Sequence, residues 1–218
     1  MGEGIYATSP VGYLMSFDEI VRCLSAEDQK VIGEMMALFE DIDRQTEKFA
    51  LQSGLKCKSG CGACCTSPEV ETTVAEVLPL AVYLWSKGLA SGKLEAIRSN
   101  FSKNICVFYE PSPVIPTQGR CGIYAYRPGL CRLFGFAARQ DKHGQRILVT
   151  CHIIKESQSQ ACQRAQEGLQ KDLEAPLLSA HAFSVANIDP IAGQKLMPIN
   201  QAISLAVGKI GYRCKLKQ

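Results

Sequence analysis

No stretch of this chain approaches the roughly 20 consecutive apolar residues that a membrane-crossing helix requires. Its start, Met1-Gly-Glu-Gly-Ile-Tyr6, has neither a basic leader nor an apolar run, so no secretory signal is expected. The final residues, Arg213-Cys-Lys-Leu-Lys-Gln218, do not make a prenylation box, because Cys214 stands one position too early. A net charge of +3 is too small to argue for nucleic acid. No nucleotide-binding glycine loop, Ser-His-Asp arrangement or paired-carboxylate signature emerges, which removes the commonest enzyme motifs. These absences lead to an expectation of a cytoplasmic protein with neither a membrane nor a nucleic-acid partner.

Cysteine, by contrast, is abundant: 11 residues in 218. In a reducing compartment so many thiols read as metal ligands rather than as disulfides. The apolar fraction of 46% and charged fraction of 21% are those of a folded globular chain, long enough for one good core. A single domain over 1–218 is expected, with a cysteine-rich part at 57–151, an N-terminal helix at 25–53 and a helical C-terminal region at 153–218.

Four cysteines fall together as Cys57-Lys-Ser-Gly-Cys61-Gly-Ala-Cys64-Cys65. Thiolates this crowded repel one another, and a soft cation that neutralises them is the simplest reason to hold them together. Gly60 and Gly62 let the backbone bend tightly enough for the sulfurs to converge. Neighbouring Cys64 and Cys65 project in different directions. The doublet therefore suggests a cluster with several metal corners, or two adjacent sites, over one tetrahedral ion.

A second group, Cys106, Cys121, Cys131 and Cys151, is more widely spread. Structural zinc favours two short-spaced pairs. Three clustered cysteines plus a remote one is the pattern of cubane ligation, so an iron–sulfur cluster of the [4Fe–4S] type is the expected cofactor. Zinc or mononuclear iron is the alternative. Basic residues crowd the second group, and Arg127 and Arg132 flank Cys131. Four thiolates around a doubly charged centre keep net negative charge, which these arginines can offset while donating hydrogen bonds to sulfur. A plain solvated charge run is the competing reading.

The ordered pattern of Cys57, Cys61, Cys64 and Cys65, then Cys106, then Cys121-Gly-Ile-Tyr with Arg127-Pro128 and Cys131-Arg132, then Cys151, resembles the YkgJ-type cysteine-cluster family, also known by its CxxCxxCC signature as a zinc- or iron-chelating domain. The resemblance covers roughly 57–151. It implies a bound metal or cluster, and one relative class, the flagellin lysine N-methylases, pairs such a domain with protein methylation. No extra segment for that activity is recognisable here.

Other readings are weaker. Cys57-x3-Cys61-x2-Cys64 has the radical S-adenosylmethionine spacing, but residues 70–104 read as consecutive helices rather than alternating strands and helices. A strained Cys64–Cys65 disulfide would suit thiol exchange. Cys23, Cys162 and Cys214 read as buried or incidental thiols. His152, beside Cys151, is an outside candidate as a ligand; His143 reads as a turn residue, and His181 has no partner that the sequence reveals. Tyr124 and Tyr126 read as packing aromatics.

The expected fold is mainly α, with helices packed around an irregular, cysteine-rich metal-binding centre and a few short strands. An irregular lead-in over 1–24 precedes a helix capped by Ser25 and stopped by Gly54. Thr73-Val-Ala-Glu76 opens a second helix to about Lys87, with Pro79 kinking it or delaying its start. A third is expected from Ser91 to about Asn104, short strands at 106–109 and 147–150, helical composition over 153–179, and a last helix from Pro198 to Lys209 with Gly211 after it. The expected function is that of a cysteine-ligated metal protein with a redox or open-iron role, served by a protein or redox partner. A zinc-stapled interaction protein and a cluster-dependent protein-modifying enzyme are the alternatives.

Overall fold

The computed structural model describes residues 14–99, 105–115 and 118–216. Ten α-helices and six short strands occur among them, so the chain is mainly α as expected. In chain order the helices are α1 (Phe17–Cys23), α2 (Ala26–Ser53), α3 (Ala63–Thr66), α4 (Leu78–Ser86), α5 (Ala90–Ser99), α6 (Gly129–Leu133), α7 (His152–Ser157), α8 (Ser159–Leu169), α9 (Leu178–Ile188) and α10 (Ile199–Arg213). The strands are β1 (Glu71–Thr72), β2 (Tyr109–Pro111), β3 (Gly119–Cys121), β4 (Ala137–Gln140), β5 (Arg146–Val149) and β6 (Met197–Pro198). They pair only in twos, all antiparallel: β1 with β6, β2 with β3, and β4 with β5.

Helix α2 is the spine. Ser25 Oγ accepts the Asp28 N–H at its start, and Gly54 closes it in the left-handed region at φ 74°. Its apolar stripe passes through three buried clusters in turn. Val31 and Ile32 enter the largest, Met35, Phe39 and Ile42 the second, and Phe49 the third. The largest is dominated by α4 against α10, where the Trp85 indole N–H donates to the Val207 carbonyl at 2.9 Å.

Several elements depart from expectation for identifiable reasons. Residues 17–23 are helical rather than irregular, because Ser16 and Glu19 form a reciprocal capping box and Ile20 is buried. The glycines and proline at 2, 4, 10 and 12 lie outside the described residues, as do Phe101 and Asn104 at the expected end of α5. Pro79 delays its helix: a 3-10 turn over Ala75–Val77 precedes α4, which takes Pro79 in its first turn. The strand expected at 106–109 starts only at Tyr109, whose N–H bonds back to the Cys106 carbonyl in a turn. Helical structure over 153–179 breaks after Leu169, since the Pro176 carbonyl accepts from Ala138 N–H and draws that segment alongside β4. Gly211 does not follow the last helix but lies inside it, where a Cβ would come within 2.5 Å of the Trp85 ring. Space, and not a chain stop, requires glycine there.

Candidate metal centre

The loop after α2 turns through Gly60, at φ 68°, and delivers Cys64 and Cys65 onto the short helix α3. Gly62 has a different task from Gly60. A Cβ on it would sit 2.4 Å from the Tyr109 ring and 2.9 Å from the Gly119 backbone, so only glycine lets this loop close onto the β2–β3 hairpin. Gly119 N–H donates to the Gly60 carbonyl at 3.2 Å, and Cys106 N–H donates to the Cys65 carbonyl at 2.9 Å. These backbone bonds join the first cysteine group to the second. Hairpin register then carries Cys121 opposite Tyr109.

The far side is tied separately. Lys56 and Gln158 exchange two hydrogen bonds, N–H to Oε1 at 3.0 Å and Nε2–H to carbonyl at 2.7 Å, which brings Cys57 beside the α7–α8 junction. Cys151 caps α7, its sulfur accepting the Ile154 N–H at 3.4 Å. The outcome is a single cleft of about 1600 Å³ lined by Cys57, Cys61, Cys64, Cys65, Cys106, Cys121, Cys131 and Cys151, with Arg127, Arg132 and His152 also on its wall. Cys162 is buried in the third core cluster, and Cys23 and Cys214 also lie away from the cleft.

Within the cleft the thiols form an inner and an outer set. Cys65 is central to the inner set: its neighbours Cys106, Cys121 and Cys64, together with burial, push its acidity far down. Cys65 in turn acidifies those neighbours. Cys64 is brought to about 6, by Cys65 and then by the Arg127 charge, against the opposing effect of burial. Cys121 is brought to about 7 in the same way, aided by the Ile123 backbone, and Cys106 is also lowered, first by Cys65. Cys131 closes this set electrostatically, but burial raises its thiol. In the outer set burial raises Cys57, and its neighbours Cys61, Cys151 and Cys64 add to the rise.

The two arginines have different surroundings. Arg127 donates to the Cys131 carbonyl at 3.2 Å and to the Tyr124 carbonyl at 3.2 Å, stacks over the Tyr124 ring at 3.5 Å, and by its charge makes the nearby Cys64 and Cys121 thiols more acidic. Arg132 instead bonds Asp43 on α2, the Arg127 carbonyl at 2.8 Å and the Ala125 carbonyl, and its guanidinium lies over the Phe39 ring. Its donors go to oxygens, and it locks α6 to α2. Tyr126 stacks on Tyr83 at 4.3 Å, whereas Tyr124 is largely exposed beside Arg127.

Glu76 is a residue whose main role the sequence reading missed. It does form the reciprocal box with Thr73, at 3.1 and 3.3 Å. It is also buried, accepts from the Thr72 hydroxyl and from Gly129 N–H at 3.0 Å each, and meets His181 Nε2 at 3.0 Å. Gly129 begins α6, which carries Cys131. The carboxylate thus ties the segment after Cys65 to the segment bearing Cys131. Apolar Val74, Ala75, Val77 and Leu78 on both sides were the available signal of its burial.

The donor chemistry of the cleft, eight soft sulfurs beside a fixed cation, suits a thiophilic metal or cluster. Among the described residues, however, no three Cys, His, Asp or Glu side chains are already disposed to hold a metal ion, so the finished metal-binding centre expected from the sequence is not present in this arrangement. No helix among the described residues is long and apolar enough to cross a membrane. No curated protein and no solved structure matches the chain. Residues 56–152, which hold all eight cleft cysteines, match the family model CxxCxxCC, described as "Putative zinc- or iron-chelating domain".

Proposed function

We propose that the cleft binds iron on its cysteines as a [4Fe–4S] cluster, and that the protein works by one-electron exchange with a protein partner or by offering an open iron position to a small molecule. The observation that carries this reading is the convergence of both cysteine groups, distant in sequence, on one cleft wall. The family's zinc- or iron-chelating description supports the metal and leaves its identity to measurement.

The inner sulfurs of Cys64, Cys65, Cys106 and Cys121, with Cys131 beside them, are the preferred ligands; Cys57, Cys61 and Cys151 are additional donors for ligand exchange or a second metal. When bound, a cluster of this kind supplies reversible one-electron chemistry and a Lewis-acidic iron. The chain's own residues prepare for it. Acidified Cys64 and Cys121 surrender protons near neutral pH, which lowers the energetic barrier to metal capture. Arg127 offsets the resulting negative charge. Its hydrogen bonds to backbone carbonyls leave the sulfurs free to turn toward a cation.

The test is anaerobic purification. Brown protein absorbing broadly near ~400 nm and bleached by dithionite supports the reading. Colourless protein with stoichiometric zinc overturns it in favour of a zinc-stapled scaffold. A cluster-dependent modification of a protein substrate would then have no basis.

A further inference from the structure

Three cysteines stand outside the cleft, and two of them meet. Cys23 is the last residue of α1 and Cys214 follows the last turn of α10. The Cys214 thiol donates to the Ile20 carbonyl at 3.5 Å, one helical turn before Cys23 on the same face of α1. After burial, Cys23 is the neighbour that most raises the Cys214 thiol. Both are free thiols; Cys23 is exposed and Cys214 half-buried. Around them Arg213 bonds Ser25 at 3.2 Å and pairs with Asp28, so the chain's two flanks are already drawn together at this point.

The geometry points to Cys23 and Cys214 as a reversible disulfide pair, oxidised by exchange with a low-molecular-weight disulfide, that staples α1 to the end of α10. It is independent of any metal in the cleft. Exposed Cys23 reacts first: its thiolate attacks one sulfur of the small disulfide, the S–S bond breaks, and one small thiol leaves with a proton. Cys214 then gives up its proton and attacks the Cys23 sulfur, forming the protein disulfide and expelling the second small thiol. Two protein thiols are oxidised and one small disulfide is reduced to two thiols. This order fits the environment of Cys214, whose thiol burial and the Cys23 neighbour raise to about 11, making it the poorer first attacker. The bond would close a loop of roughly 190 residues, and long loops gain most from such a cross-link.

Oxidised glutathione is the probe, applied to the full-length chain, with tryptic mapping by mass spectrometry without reduction. Cleavage after Arg22, Lys30, Arg213 and Lys215 isolates the two cysteines on peptides 23–30 and 214–215, separate from every cleft cysteine. The expected product is those two peptides joined, with the intact-chain mass lower by two hydrogens for this bond and Tm raised by about 5 °C or more. Cys214→Ser should stop at a glutathione adduct on Cys23, and Cys23→Ser should leave Cys214 unreacted. Wild-type Cys23 recovered as a stable glutathione adduct, joined to another cysteine, or still free would overturn the proposal. None of these outcomes depends on metal content.

Discussion

Glu76 and His181 lie 105 residues apart in sequence, and the Glu76 Oε1 atom meets the His181 imidazole Nε2 at 3.0 Å in a buried setting. The same oxygen accepts from Gly129 N–H, so one carboxylate links the turn after the cysteine doublet, the start of α6, and α9. Space is matched to this contact. A Cβ on Gly129 would lie 2.1 Å from the His181 ring.

Replacing Glu76 by Gln keeps the volume but presents an amide nitrogen to donors. A destabilisation of about 2–4 kcal/mol is expected, measured as a lower urea midpoint with an unchanged slope. An effect within experimental error would mean that these bonds do not tie the segments.

Acid dependence follows from the same residue. Burial alone would raise the Glu76 pKa, but the His181 hydrogen bond and charge, with Thr73 and Thr72, hold it below the ordinary 4.5. A carboxyl depressed in the folded state adds stability above its unfolded pKa, and that contribution is lost as pH falls through the folded value. The stability gap between the native chain and Glu76→Gln should therefore be full near neutrality and shrink below pH ~4.5. Stability curves measured across this range check it; a constant gap contradicts the sign.

Gly211→Ala sets helix propensity against packing. Alanine gains about 1 kcal/mol in a helix interior. The added methyl would meet a Trp85 ring that is 1% exposed and pinned to Val207, and overpacking of this kind costs about 1–3 kcal/mol. Thermal or urea unfolding should show net destabilisation. Greater stability would place Gly211 away from the indole.

Arg127→Leu should make the cleft thiols less acidic, since the guanidinium charge lowers both Cys64 and Cys121. In metal-free protein the pH midpoint of alkylation at these cysteines, read by peptide mapping, should move upward. Arg127→Lys should restore part of the shift, because charge returns without the planar fork. Unchanged midpoints in both variants would remove Arg127 from the electrostatics of the cleft.

What the sequence made legible was local or repetitive. Ser25, the apolar stripe through Phe49, and Gly54 define α2 within the chain's own 28-residue stretch, and cysteine spacing marked the sulfurs now on the cleft wall. The short capping box Ser16-x-x-Glu19 was present but hidden among breakers at 2–12. Contacts across long separations were not legible. Gly211 has the same residue type as a helix stop and owes its place to a tryptophan on α4. Glu76 satisfied a capping role so completely that its further bonds to Gly129 and His181 left no trace in the local pattern. Arg132 stands next to a cysteine yet donates to Asp43, 89 residues away. Adjacency in sequence names neighbours of the backbone, and the direction of a long side chain is decided by what packs around it.

Iron, zinc and acid-labile sulfide determined together on anaerobically purified protein test the central claim most directly. A soft-metal cluster held by thiols from both cysteine groups predicts about four iron and four sulfide per chain, lost when Cys65 or Cys121 is replaced by Ser. A chain that carries neither iron nor sulfide, with its cleft thiols all free to react with an alkylating reagent, would contradict it.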